Sequence, residues 1–317
     1  MNCKIFIPLL CLLTAFPLTE LSAQTIEQAQ EQDKAYMFEE AVNTYEAFIA
    51  RQTKRRRSVD NAPALMERSR AHLRMLKGTE EVCIVDSIVV DKDNFLSAYR
   101  LSNETGTLES YNKFFRTDAN DAGTVYETSL RDRIYYAQKG KGGYYDIYKA
   151  WELRDGWDEP ELIDVLANDS TNANYPFVMN DGITLYYAAD GAGSMGGYDI
   201  FVTRYDPDNE TYLTPDNVGM PFNSPFNDMM LVIDEWNNLG WFASDRYQPS
   251  DKLCLYIFIP NATKRVYNYE TTDKARLARL ARIASLKETW GAATPEQLSA
   301  ARTTLKTLLQ SPIQETQ

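Results

Sequence analysis

The chain has 317 residues, 44% hydrophobic and 12% aromatic, enough to bury a sizeable core in one large domain or in a core with appendages. Thirty-three basic side chains against 45 acidic ones leave a net charge of −12, which argues against a general nucleic-acid binder with a basic face and against broad docking on anionic lipid. A single histidine excludes a multi-histidine catalytic zinc and leaves Ser-His-Asp or Cys-His catalysis one base to work with.

The first element is a targeting segment. Lys4 supplies a minimal positive region, Ile5 to Phe16 is apolar, and Leu21-Ser22-Ala23 precedes Gln24 at a cleavage-like site. This predicts a signal peptide over 1–23 and export. The segment is short and broken by Pro8 and Pro17, and no later apolar run is long enough to span a bilayer. Cys11 lacks the small residues that precede a lipidated cysteine, so cleavage is favoured over lipidation. Removal of 1–23 leaves Cys83 and Cys254. In an oxidising compartment they are a candidate disulfide that would join the first strand to the last, worth about 3–5 kcal/mol. Two buried, unrelated thiols are the alternative.

Residues 24–80 read as helical. Ala35, Phe38, Ala41, Val42, Tyr45, Phe48 and Ile49 recur at three and four, and Leu65, Met66, Ser69, Leu73 and Leu76 follow Pro63. The phrase from Ala35 to Ile49 resembles a tetratricopeptide-type helix pair. It covers one unit, which implies a buttress and not a peptide-binding array. Lys54-Arg55-Arg56-Arg57 is a contact for an acidic partner or lipid headgroups or, more simply, a solvated helix end.

Residues 81–268 read as strands and turns. Val82 to Val90 is β-branched, and Phe95 to Leu101 and Tyr111 to Phe115 are further expected strands. Then a repeat appears. Ile134-Tyr135-Tyr136-Ala137 and Gly142-Gly143-Tyr144-Tyr145-Asp146-Ile147-Tyr148 return as Leu185-Tyr186-Tyr187-Ala188 and Gly196-Gly197-Tyr198-Asp199-Ile200-Phe201, with Tyr135 and Tyr186 51 positions apart. Such a period marks stacked units that cannot bury an apolar face alone. Units centred on 125–163, 175–219 and 228–267, with one before them, predict a mainly β fold: a β-propeller of about four blades, with room for a degenerate fifth. Asn180-Asp181-Gly182 is its clearest hairpin turn. The recurrent Asp146, Asp181, Gly182, Asp190, Asp199 and Asp245 are expected to be structural.

Residues 269–317 return to helix. Leu277, Leu280, Ala281 and Ala284 form one stripe, and Thr294-Pro295-Glu296-Gln297 is a capping box ahead of Leu298, Ala301, Leu305 and Leu308.

The third unit has Tyr175-Pro176, Asn180-Asp181-Gly182, Leu185-Tyr186-Tyr187-Ala188-Ala189-Asp190 and Gly196-Gly197-Tyr198-Asp199-Ile200-Phe201. It resembles the TolB-type (WD40-like) β-propeller repeat of the bacterial envelope. Trp241-Phe242-Ala243-Ser244-Asp245-Arg246 gives another form of the strand ending. A tetratricopeptide segment before such a propeller is similar to peptidoglycan-associated envelope proteins that carry an OmpA-like domain. Only about forty helical residues follow the propeller here, so a peptidoglycan-binding role does not carry over. The resemblance implies a periplasmic or outer-membrane-associated protein acting through protein contacts.

Chemistry is sparse. His72 lies outside the strand region and reads as a helix-surface residue. Ala192-Gly193-Ser194-Met195-Gly196 approaches a nucleophile elbow but has Ala192 where glycine belongs. Gly140-Lys141-Gly142-Gly143 matches a phosphate loop in composition only. Asp190, Asp199, Asp206 and Asp208 lack the alternation of a calcium loop. No cofactor or metal site is expected. The leading expectation is a non-catalytic interaction or scaffold module with envelope or outer-membrane proteins as partners. The alternative is a glycan-binding or glycan-hydrolysing propeller, which needs only two carboxylates and aromatic platforms in a central funnel.

Overall fold

The computed structural model describes residues 25–117, 122–167 and 170–310, so the targeting segment expected at 1–23 lies outside the described residues. The chain divides into two compact units, 1–70 and 71–317. The division falls within a helix, and the helices after 269 belong to the same unit as the strands.

The first unit contains α1 (Ile26–Lys34), α2 (Phe38–Lys54) and the first part of α3 (Ala62–Lys77). Thr25 caps α1 by accepting the Gln28 N–H at 3.1 Å. Ala29, Ala41, Tyr45, Phe48 and Ala62 form its core. Buried among them, Asp33 accepts the Ser69 hydroxyl at 2.7 Å and the Tyr45 hydroxyl at 3.5 Å. Burial holds its carboxyl above the usual range, and the Ser69 bond opposes this. The basic run begins at the last residue of α2 and is exposed, as a solvated helix end requires.

The second unit is mainly β. Its strands are β1 (Cys83–Asp91), β2 (Thr107–Ser110), β3 (Thr124–Glu127), β4 (Arg133–Lys139), β5 (Tyr145–Leu153), β6 (Gly156–Trp157), β7 (Glu161–Leu162), β8 (Ala173–Val178), β9 (Thr184–Asp190), β10 (Tyr198–Asp206), β11 (Thr211–Tyr212), β12 (Asp216–Asn217), β13 (Asp228–Asp234), β14 (Leu239–Ser244) and β15 (Lys252–Ile259). They form three antiparallel sheets. The first runs β2-β3-β4-β5-β6 with β7 also on β5, the second β11-β10-β9-β8 with β12 on β10, and the third β1-β15-β14-β13.

Three sheets stand where four or five blades were expected, and no closed propeller is defined among the described residues. The unit expected at the start of the strand region makes no sheet of its own. Its β1 crosses to the last sheet and pairs with β15, and its β2 joins β3. Two expected strands are helical. Residues 92–98 form a 3-10 helix, which turns Phe95 and Tyr99, four positions apart, toward the core while Lys92, Asp93 and Asn94 face solvent. Residues Tyr111–Phe114 form α4. One helical turn stacks Tyr111 on Phe115 with ring centroids 4.5 Å apart, and Lys113 reaches back to Glu109 at 2.5 Å.

The repeat phrases occupy equivalent places. Tyr135, Tyr186 and Trp241 lie opposite Tyr126, Phe177 and Val232 of the preceding strands, and Tyr136, Tyr187 and Phe242 point to the other face. The residues after β1 stitch the sheets together. Phe95 meets Tyr175 at 6.1 Å, Tyr99 meets Trp241 at 5.8 Å, the Tyr99 hydroxyl donates to the Met230 carbonyl at 2.7 Å, and the Tyr126 hydroxyl donates to the Thr105 carbonyl at 3.0 Å. The outer face of the first sheet is closed by Tyr111, Phe114, Phe115 and Trp157 over Tyr136 and Ala150.

The C-terminal helices are α5 (Lys274–Ala281), α6 (Leu286–Thr289) and α7 (Pro295–Gln310). The expected capping box forms: Thr294 Oγ1 accepts the Gln297 N–H at 3.2 Å, and Gln297 Oε1 accepts the Thr294 N–H at 2.8 Å. Leu277, Leu280 and Ala281 are buried, but Ala284 is exposed beyond the end of α5. Thr289 and Trp290 cover the edge of β1, bonding the Ile84 N–H at 2.9 Å and its carbonyl at 3.0 Å. His72 is buried in α3, against the expectation of a surface position.

Cys83 and Cys254 are both free and buried. The β1–β15 ladder places Cys83 opposite Ile259 and Cys254 opposite Val89, so the thiols sit six positions apart along β1. At about 3.3 Å of rise per residue, this is far beyond the reach of a disulfide. The candidate bridge is therefore replaced by its alternative, two separate apolar thiols. The ladder itself joins the two strands.

Candidate functional site

The repeated carboxylates hold the fold and do not converge. Asp190 accepts the Asn172 N–H at 2.6 Å and its Nδ2 at 2.8 Å, and the Oδ1 of Asn172 accepts the Tyr145 N–H at 3.1 Å. Asp245 treats Asn227 identically, at 2.8 and 2.6 Å, and Asn227 Oδ1 accepts the Tyr198 N–H at 3.0 Å. Each pair latches one sheet to the start of a strand in the sheet before it, β5 for Asn172 and β10 for Asn227. The first sheet has Lys139 at the equivalent position, and the last has Leu253 where a tyrosine N–H would be latched, so the series stops at both ends.

Asp199 is fully buried and accepts the N–H groups of Met195 and Gly196 at 2.9 and 3.3 Å and Asn217 Nδ2 at 2.8 Å. Burial pushes its carboxyl up to about 7, against the pull of these donors. Asp146 holds the same place in the first sheet, where Gly140 gives it room: a Cβ there would lie 2.0 Å from its oxygen. Cys254 stands there in the third sheet.

No catalytic set assembles from the sequence candidates. Ser194 sits between β9 and β10 and donates to the Ala189 carbonyl at 2.9 Å. Asp190 is spent on the Asn172 latch, Asp199 on the β9–β10 turn and Asp206 on the β10–β11 turn. Among the described residues no group of three or more His, Cys, Asp or Glu side chains is placed to hold a metal ion. Arg246 and Asp228, both with no exposed side chain, pair at 2.6 Å. Arg246 also donates to the Pro221 and Phe222 carbonyls and to Ser244 Oγ, and Ser224 donates to Asp228. This cluster is sealed from solvent. The centre between the sheets is filled by Tyr99, Tyr126, Tyr135, Phe177 and Trp241, leaving no funnel at that point for a sugar.

The exposed chemistry lies at one end of the sheets. The hairpins β3–β4, β8–β9 and β13–β14 each carry an anchoring aspartate and one exposed large apolar residue: Asp132 with Leu130, Asp181 with Ile183, and Asp234 with Trp236. Asp181 accepts the N–H groups of Ile183 and Thr184 and the Thr184 hydroxyl. Burial works to raise its carboxyl, and these donors bring it below the usual value. Gly182 supplies the positive φ of 68° in this turn. Asp234 is fully buried and accepts four bonds, from the N–H and Nδ2 of Asn237 and from the N–H and hydroxyl of Ser102. The second and third hairpins touch, with the Asn180 N–H donating to Glu235 at 3.3 Å.

Trp236 is 75% exposed, an unusual state for the largest apolar side chain on so constrained a turn. Beside it opens a cleft of about 660 Å³. Cys83, Ile233 and Ile259 line its buried side, and Glu235, Asn238, Arg265 and Gln297 stand at its mouth. Burial pushes the Cys83 thiol up to about 11, as expected of an apolar wall.

The sequence reading missed the two asparagine latches, the Arg246 cluster and Trp236. The latches had a signal: Asn172 and Asn227 are 55 positions apart, and so are Asp190 and Asp245. Trp236 had none, because exposure is not written in a single residue. Comparison of the chain with protein-family models, curated proteins and solved structures found no match.

Proposed function

We propose that this chain is a non-catalytic interaction module of the bacterial cell envelope, exported by its N-terminal segment. Its three sheets are read as blades of a TolB-type β-propeller whose ring is completed by other elements. One observation carries the reading. Trp236 is held out to solvent by a hairpin that four hydrogen bonds to Asp234 make rigid. An exposed tryptophan on a pre-organised turn loses little entropy on docking, which is the character of an interface anchor.

Two further facts support it. Asp190, Asp199 and Asp245 are committed to backbone and asparagine partners and form no acid/base pair with one another. No helix among the described residues is long and apolar enough to cross a membrane. The filled centre counts against the glycan reading.

The test is a cross-linked pull-down from the native envelope with the tagged chain and its Trp236→Ala variant, read by quantitative mass spectrometry. The reading expects a small set of envelope proteins, near stoichiometric with the wild type and depleted at least fivefold with the variant. Turnover of a defined substrate by the purified chain, abolished by one carboxylate substitution, would overturn it.

A further inference from the structure

We infer that the cleft beside Trp236 is a peptide-binding site, taking a short extended segment of a partner with an aliphatic side chain turned inward. This deepens the interaction reading above and rests on it. The volume of about 660 Å³ suits a few residues. Met179, Ile233, Ile259 and Pro260 give it an aliphatic patch within a lining that is otherwise largely polar. No aromatic ring lines it, and a sugar would need one to stack its C–H face, so the lining selects a branched side chain over a glycan ring.

The polar groups at the mouth fit a peptide backbone. The side-chain amide of Asn238 makes no hydrogen bond to a described residue. Gln297 gives its Oε1 to the Thr294 N–H and keeps its Nε2 donors for a ligand. The N–H groups of Asn261, Ala262 and Thr263, in the loop leaving β15, donate to no carbonyl of the described residues. Amides and backbone donors beside an apolar wall recognise an extended chain, in which main-chain bonds give affinity and alternate side chains enter pockets. Glu235 and Arg265 offer one charge of each sign at the rim, so neither a polyanion nor a polycation is selected.

The probe is N-acetyl-leucine N-methylamide, a small molecule with two peptide groups and one branched aliphatic side chain. It is titrated into the full chain, labelled at isoleucine and methionine methyls. The expected result is saturable shifts at Ile233, Ile259 and Met179 in the millimolar range, abolished in Ala262→Trp, which fills the cleft from an exposed position, and weakened at least threefold in Asn238→Ala. N,N′-diacetylchitobiose, which carries amides on sugar rings, is expected to leave these methyls unmoved. The inference is overturned if the peptide probe shifts none of the three methyls by 10 mM, or if the disaccharide shifts them more strongly. Failure is separable from failure of the broader reading. A partner retained in full by Ala262→Trp but lost by Trp236→Ala removes the cleft and keeps the module. Probe binding by a chain that captures no partner does the reverse.

Discussion

Asn227 and Asp245 form a two-point contact in which one carboxylate takes both donors of one asparagine, at 2.8 and 2.6 Å. The contact fixes the amide so that its oxygen faces the Tyr198 N–H in the neighbouring sheet. Removing Asp245 therefore frees the asparagine as well as losing its own bonds. Asp245→Ala is expected to cost about 1–3 kcal/mol. Asn227→Asp is expected to cost more, because it sets a second carboxylate against the first. Urea midpoints of both variants check this, and a cycle with Asp190→Ala should be additive within about 0.5 kcal/mol, since the two latches share no residue.

The Arg246–Asp228 pair predicts a larger loss. Arg246→Ala leaves a buried carboxylate and two carbonyls without their donor, at about 3–5 kcal/mol. Arg246→Lys should recover little, because a single ammonium cannot span the fork. Equal thermal midpoints for wild type and Arg246→Lys would refute this.

Asp199 predicts a pH dependence. Its folded value near 7 lies above the unfolded 3.8, so the folded state holds the proton more tightly. The contribution to stability is present below about pH 4 and is lost as pH rises through 7. The like charge of Asp228 adds to the upward shift. Chemical denaturation at pH 5 and 8 should show a fall in the wild type attributable to this group, and Asp199→Asn should flatten it. The variant is also expected to be less stable at pH 5, since its Nδ2 would face N–H donors.

The thiols predict an absence. Peptide mapping of the purified chain after exposure to an oxidant should yield Cys83 and Cys254 unlinked, and reducing agent should leave the melting temperature unchanged.

Sequence pattern reached the strands, the hairpin at Asn180-Asp181-Gly182 and the capping box at Thr294, because each is written within a few neighbouring residues. It failed at residues 92–115, where aromatic runs read as strands but aromatic spacing of four serves a helical turn. It gave the start of the strand region a unit of its own for a related reason: Val82 to Val90 is a good strand in any sheet, and only its distant partner β15 decides which. The candidate site was out of reach. Trp236 and the cleft acquire meaning from Asp234, Ser102 and the loop after β15, which meet only in three dimensions.

The pairing of β1 with β15 also sets a schedule for synthesis. A ribosome delivers β1 about 160 residues before its partner exists, and during that interval the strand has an open edge and an apolar face. The third sheet is then the last to be completed, and it is completed by its oldest member. Chains that stop before Lys252 would carry β1 as a permanent adhesive edge, so interrupted synthesis should yield aggregates and not soluble two-sheet fragments.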